Sequence, residues 1–307
     1  MSKRAALGLR LVALTGWALI ASGLTALALA ATVKLLPHDT AFLGMSVGHL
    51  CTFHGCRVLR FMAHDRVAFG GSLIAIGVMY HWMALAPLAR GERWAWWGLA
   101  ASGLAGFASF LTYLGYGYLD LWHGRATLAL LPVFAAGLAL SYPGGRRGAA
   151  AARVPLLSRL GFGRAALVFT GAGMVLAGAT ITVIGMTRVF VPQDLEYMAV
   201  EPAHLHAISP RLVPLIAHDR AGFGGGLVSA GLAILACSWF GIRPGERSLW
   251  RALALAGSAG FATAIGIHFV IGYTSFSHLA PAYAGAIVFL AGIGLLRRPL
   301  VDGNPRR

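Results

Sequence analysis

Eight long apolar runs constrain this chain more than any motif in it. They lie near residues 9–33, 64–88, 94–118, 123–142, 164–187, 218–241, 249–273 and 279–296. A helix needs about 20 apolar residues to cross a hydrocarbon core roughly 30 Å thick. Without water to satisfy its peptide groups, such a run must bond internally, as a helix does. The predicted fold class is therefore an all-α integral membrane protein with eight transmembrane helices. Only 11% of the 307 residues are charged, against about 25% in soluble domains, which excludes an ordinary soluble enzyme. The first run follows Lys3, Arg4 and Arg10 and ends near Ala28-Leu29-Ala30, in the manner of a signal peptide. It is longer than the usual hydrophobic region of about 7–15 residues, so a spanning helix is expected.

The net charge of +15 comes from 25 basic and 10 acidic residues. That excess does not point to nucleic acid, because the arginines sit in short clusters between apolar runs. With the N-terminus inside, Lys3, Arg4, Arg10, Arg90 and Arg93 fall on the inner side. So do Arg146, Arg147, Arg153, Arg159 and Arg164 of the central loop, then Arg243, Arg247, Arg251, Arg297, Arg298, Arg306 and Arg307. These are seventeen of the 25 basic residues, and the positive-inside rule places both termini in the cytoplasm. The expected location is a bacterial plasma (inner) membrane, with the lipid bilayer as partner.

The chain also repeats itself. Ala63-His64-Asp65-Arg66-Val67-Ala68-Phe69-Gly70-Gly71 recurs as Ala217-His218-Asp219-Arg220-Ala221-Gly222-Phe223-Gly224-Gly225. Gly91-Glu92-Arg93 recurs as Gly245-Glu246-Arg247. With one residue of slippage, Pro37 and Asp39 match Pro192 and Asp194, and Tyr118 and His123 match Tyr273 and His278. The division this predicts is a first four-helix repeat over 1–142, a Gly/Arg-rich cytoplasmic linker over 143–163, and a second repeat over 164–307. Two tandem, pseudo-symmetric four-helix bundles are expected, related by an axis along the membrane normal.

Ten of the 11 histidines fall on the outer side in this topology, and only His81 lies near the inner surface. His64, His123, His218 and His278 open the second, fourth, sixth and eighth predicted helices. Ionisable groups at a bilayer boundary are costly and mark candidate sites, and imidazole is the commonest metal ligand. Within each half the two histidines share a depth, so His64 is expected to face His123 and His218 to face His278. Two imidazoles per half suit one haem per half. Small residues follow each motif histidine at helical spacing: Ala68, Gly71 and Ala75, then Gly222, Gly225 and Ser229. They leave room for a flat macrocycle or let helices approach closely. Arg66 and Arg220 are placed to hold a haem propionate or to pair with acids such as Asp39 and Asp194. Asp65 and Asp219 read as orienting partners for imidazole or as acids at a helix N-terminus. Cys51 and Cys56 predict a disulfide closing the first outer loop, or a redox pair.

The layout resembles the haem A synthase family. The resemblance rests on the length, the eight helices, the histidines His64, His123, His218 and His278, and the cysteine pair Cys51 and Cys56. It implies a haem-binding membrane oxidoreductase acting at the outer side of the membrane. An electron donor such as a quinol would complete it. This chain has Asp65 between His64 and Arg66 and no glutamate in its first outer loop, so the resemblance speaks for binding haem more than for transforming it. Two other readings stand beside it. One is an outward-facing metal site for zinc or copper, built from His49, His64 and His123 with His204, His218 and His278. The other is a cofactor-free transporter or assembly factor.

Overall fold

The computed structural model describes residues 2–32, 35–115, 117–118, 120–144 and 154–303. Twelve α-helices run through them, with no strand among the described residues. Eight helical segments are long and apolar enough to cross a membrane, built on α1 (Lys3–Ala31), α4 (Arg57–Met83), α5 (Arg93–Ala108, which a 3₁₀ stretch continues to Gly115), α6 (Leu121–Ser141), α7 (Arg159–Met186), α10 (Leu212–Ala236), α11 (Arg247–Ile271) and α12 (Phe276–Val301). The chain is a multi-pass membrane protein, and each predicted run is one of these helices. Four short helices, α2 (Pro37–Leu43), α3 (Val47–Thr52), α8 (Pro192–Met198) and α9 (Pro202–Ile208), fill the two loops that carry most of the remaining histidines. We call that end of the bundle the histidine end. Arg146, Arg147 and Arg153 of the linker, and Arg306 and Arg307, lie outside the described residues.

The short helices start where their sequence says they should. Pro37 and Pro192 occupy the first turns of α2 and α8, where a missing N–H costs nothing. The Asp39 carboxylate then accepts from the backbone N–H of Leu36 at 3.2 Å, and that of Asp194 from Val191 at 2.8 Å. Asp120 caps α6 by accepting from the N–H groups of Trp122 and His123, at 2.7 and 3.1 Å, as short acidic caps do.

Two helix starts differ from expectation. Helices α4 and α10 begin at Arg57 and Leu212, so His64 and His218 lie about two turns inside them rather than at their mouths. Only His123 and His278 occupy a first turn. A polar His-Asp-Arg triplet stays helical inside the bundle because its charges find partners there, as described below. Asp65 and Asp219 are therefore not acids at a helix N-terminus.

Packing interlocks the two halves. Helix α1 lies on α4 and α6, and α7 lies on α10 and α12, but α4 also packs on α11, α10 on α5, and α4 on α10. The central pair α4 and α10 is the most buried of the eight spans. Glycines bring these helices together. A Cβ on Gly16 would lie 2.7 Å from the Gly77 carbonyl oxygen, and one on Gly23 would lie 2.5 Å from that of Gly70. Across α7 and α10 the same contacts recur, with a Gly178 Cβ 2.6 Å from the Gly224 oxygen and a Gly231 Cβ 2.8 Å from that of Gly171. Between lipid-facing helices, small residues of this kind allow close van der Waals contact. The stripe below the motif histidines does the same. A Cβ on Gly71 would strike Thr263 of α11, and one on Gly225 would strike Ser109 just past α5. Gly71 and Gly225 therefore serve helix approach, whereas Gly222 and Ser229 of the same stripe line the cavity described below. We expect Gly178→Ala to cost about 1–3 kcal/mol, because the atoms it meets are backbone and cannot move aside. Thermal unfolding in detergent should show this, while Gly173→Ala, with nothing within 4 Å of its added carbon, should not destabilise.

The opposite end closes with a clasp between the halves. Gly91 and Gly245 turn at φ of +78° and +81°, a region that favours glycine. The Glu92 carboxylate beside the first turn accepts from Arg243 at 3.1 and 2.8 Å, from Arg90 at 2.8 Å and from the Trp94 indole at 2.6 Å. Burial opposes ionisation of Glu92, but these donors outweigh it and hold the carboxyl below its ordinary value.

Candidate functional site

At the histidine end, the repeated triplets of α4 and α10 exchange ion pairs across the centre of the bundle. Arg66 of α4 donates through Nε to Asp219 Oδ2 and through Nη1 to Asp39 Oδ2, both at 2.8 Å. Arg220 of α10 donates to Asp194 Oδ2 at 2.5 Å and to the Val189 carbonyl at 2.8 Å, with Asp65 Oδ2 3.4 Å from its Nε. Each arginine thus bridges the acid of the opposite triplet and the capping acid of its own half. Tyr118 donates to Asp39 Oδ1 at 2.5 Å and Tyr273 to Asp194 Oδ1 at 2.7 Å. Burial raises the Asp194 carboxyl, but the Arg220 charge and these hydrogen bonds prevail and hold it low. Burial and the neighbouring carboxylates push both phenols up, so they remain donors. Arg66 and Arg220 pair with the chain's own acids, the ion-pair alternative to a propionate clamp.

The histidines are brought together across the halves, not within them. His123 of α6 meets His218 of α10, with Nδ1 and Nε2 3.4 Å apart and ring centroids 5.3 Å apart. His218 has a carboxylate behind it, while the carboxylate at His123 shares the Nδ1 that faces His218. Asp219 Oδ1 lies 3.2 Å from His218 Nδ1, and Asp120 Oδ2 lies 2.9 Å from His123 Nδ1. Burial alone raises the Asp120 carboxyl, but the hydrogen bonds and charge of His123 outweigh it and hold it well below the carboxylate range. His38 Nε2 reaches the same acid at 3.1 Å. Below this pair opens a cavity of about 680 Å³ between α1, α4, α5, α6 and α10. Its histidines and charged groups gather at the histidine end. Leu19, Leu73, Ile76, Phe107 and Leu130 make an apolar body beneath them.

A second group forms on the other side of the central pair. His64 of α4, His268 of α11 and His278 of α12 place one ligand-capable atom each within 4.8 Å of one another. The expected facing of His64 with His123, and of His218 with His278, is corrected by these contacts. The cause is packing: α4 turns one flank to α11 while α10 turns one to α5, so each motif histidine meets the other half's fourth helix.

The remaining candidates separate plainly. His49 and His204 are exposed on α3 and α9 and belong to neither group. Asp65 and Asp219 do lie against their neighbouring imidazoles, at 3.3 and 3.2 Å. Cys51 and Cys56 form a disulfide with Cα atoms 4.0 Å apart, beside a turn in which His54, Gly55 and Cys56 all have positive φ. Sequence reasoning passed over His268, Asp120 and the pairs Asp39/Tyr118 and Asp194/Tyr273 as site residues. The two acid–tyrosine pairs carried a visible signal, since they recur between the halves. His268 carried none, because the first half has no histidine at its matching position. Compared with protein-family models, curated proteins and solved structures, the chain matches none of them.

Proposed function

We propose that this is a haem-binding membrane protein that holds haem in the cavity below His123 and His218. The observation that carries the reading is that two imidazoles, one of them backed by Asp219, converge at the polar end of a largely apolar cavity of about 680 Å³. That volume is in the range that buries an organic ligand of cofactor size. Haem needs an apolar slot for its ring and imidazole for its iron, and both are present. A metal–imidazole bond is about 2.0–2.1 Å, so two imidazoles on one iron require slightly more than the 3.4 Å between these nitrogens. His123, whose side chain is one-third exposed, is the ring free to turn, while His218 is fixed by Asp219 and by the Tyr113 ring 4.1 Å away. Bound haem supplies one-electron chemistry. The chain's part is to orient His218 through Asp219 and to exclude water with the apolar walls.

In this reading the histidine end faces outward from a bacterial plasma membrane and both termini are cytoplasmic, supported by the arginine distribution. The test is absorbance of the detergent-purified protein after expression with ample haem. We expect a Soret band that is lost in His218→Ala and weakened in His123→Ala, yet kept in His81→Ala. Colourless protein under those conditions ends the proposal.

A further inference from the structure

We propose that His64, His268 and His278 form a separate site for one divalent transition-metal ion, of the class that imidazole prefers, zinc or copper. Three observations point to a cation. First, two of the three rings are set as ligands by backbone carbonyls. His64 Nδ1 donates to the Phe61 carbonyl oxygen, and His268 Nδ1 donates to that of Ala264 at 2.7 Å. Fixing Nδ1–H in this way leaves Nε2 as the bare lone pair, the arrangement found behind metal-bound histidines. Second, those lone pairs lack donors. His268 is 6% exposed and its Nε2 has no hydrogen-bond partner. The Nε2 of His64 instead faces Asp65 Oδ1 at 3.3 Å, which sets an acid beside the cluster.

Third, the fixed charges around the group do not cancel. Arg220 is the single cation paired here, and it faces two buried carboxylates, Asp65 and Asp194. A bound divalent ion would more than offset that residual negative charge. His278 completes the set, stacked on Tyr273 with centroids 4.5 Å apart and with Asp194 Oδ1 3.9 Å from its Nδ1. Three imidazoles from three helices, with Asp65 alongside, give the donor set of a zinc or copper site that keeps one position open. This assignment uses none of the haem residues and stands or falls independently of them.

The test is metal content of the purified full-length protein, stripped with chelator and then equilibrated with zinc alone or Cu(II) alone. We expect one equivalent per chain. Replacing even an outer-sphere partner commonly costs about 10–100-fold in metal affinity, so loss of a ligand in His268→Ala should weaken binding at least that much. His49→Ala should bind as the parent does. Should the alanine variants fail to fold, electron paramagnetic resonance of the Cu(II)-loaded parent provides a second readout, and coupling to imidazole nitrogens is expected. A parent that retains no zinc or Cu(II), unchanged affinity in folded His268→Ala, or Cu(II) without nitrogen coupling would each overturn the assignment. So would loss of the Soret band, with metal content unchanged, in His64→Ala or His278→Ala.

Discussion

Arg220→Leu should destabilise the protein by about 3–5 kcal/mol, the cost of stripping a buried ion pair of one partner. Asp194 is fully buried and Asp65 is 2% exposed, so the substitution leaves two carboxylates in a dry site without their cation. Arg66→Leu should cost less, because the Arg66 side chain is 19% exposed and water can reach the acids it leaves. Arg220→Lys should rescue only in part, since a single ammonium cannot reproduce the fork that reaches Asp194, Asp65 and the Val189 carbonyl together. Thermal unfolding in detergent measures all three. A loss under 1 kcal/mol in Arg220→Leu would mean that the central ion pairs do not hold the bundle. The pH dependence has a definite sign. The Asp194 carboxyl titrates below its ordinary value of 3.8 in the folded protein. Its stabilisation is therefore complete above that value and is lost as pH falls through the folded-state one. The parent should keep its midpoint down to about pH 5 and lose stability below about pH 4, and Arg220→Leu should show a smaller acid loss, because the cation that lowers the carboxyl is gone.

The second large effect concerns the two halves. Cleaved within 143–163 and co-expressed, residues 1–142 and 164–307 should purify as one complex, and neither should be stable alone. A lone first half would expose the α4 surface that α11 and α10 cover. It would also leave Asp65 and its share of the Arg66 pairing unmet, because Arg220 and Asp219 lie in the other half. A lone second half would lose the cover of α5 on α10 and the Glu92 clasp on Arg243. Co-purification by a tag on one half reads the result. Two separately stable, separately folded halves would refute the interlocked packing.

Much of this was legible in the chain. The eight spans were visible because crossing hydrocarbon demands a run of apolar residues, and such a run is a local property. The duplication marked His64, Asp65, Arg66 and their copies as a unit, and also displayed Asp39, Asp194, Tyr118 and Tyr273 at matching places. What these residues do was harder to see. Arg66 reads equally well as an anion clamp or an ion-pair partner until the acids around it are placed. Asp120 caps α6, and its second face toward His123 has no sequence signature. The heptad spacing of Gly16 and Gly23, repeated at Gly171 and Gly178, was the unread clue to which helices touch.

The amino-acid sequence by itself determined the membrane class, the number of spans, the repeated unit and the gathering of histidines at one end. Each depends on composition along a segment or on internal comparison of segments. Only the tertiary structure decided which histidines meet. A helix presents several flanks, and its sequence reads the same whether one flank faces its own half or the other. Here α4 turns to α11 and α10 turns to α5, so the pairs form across the duplication. That choice turned two expected equal sites into a cavity below His123 and His218 and a separate triad of His64, His268 and His278.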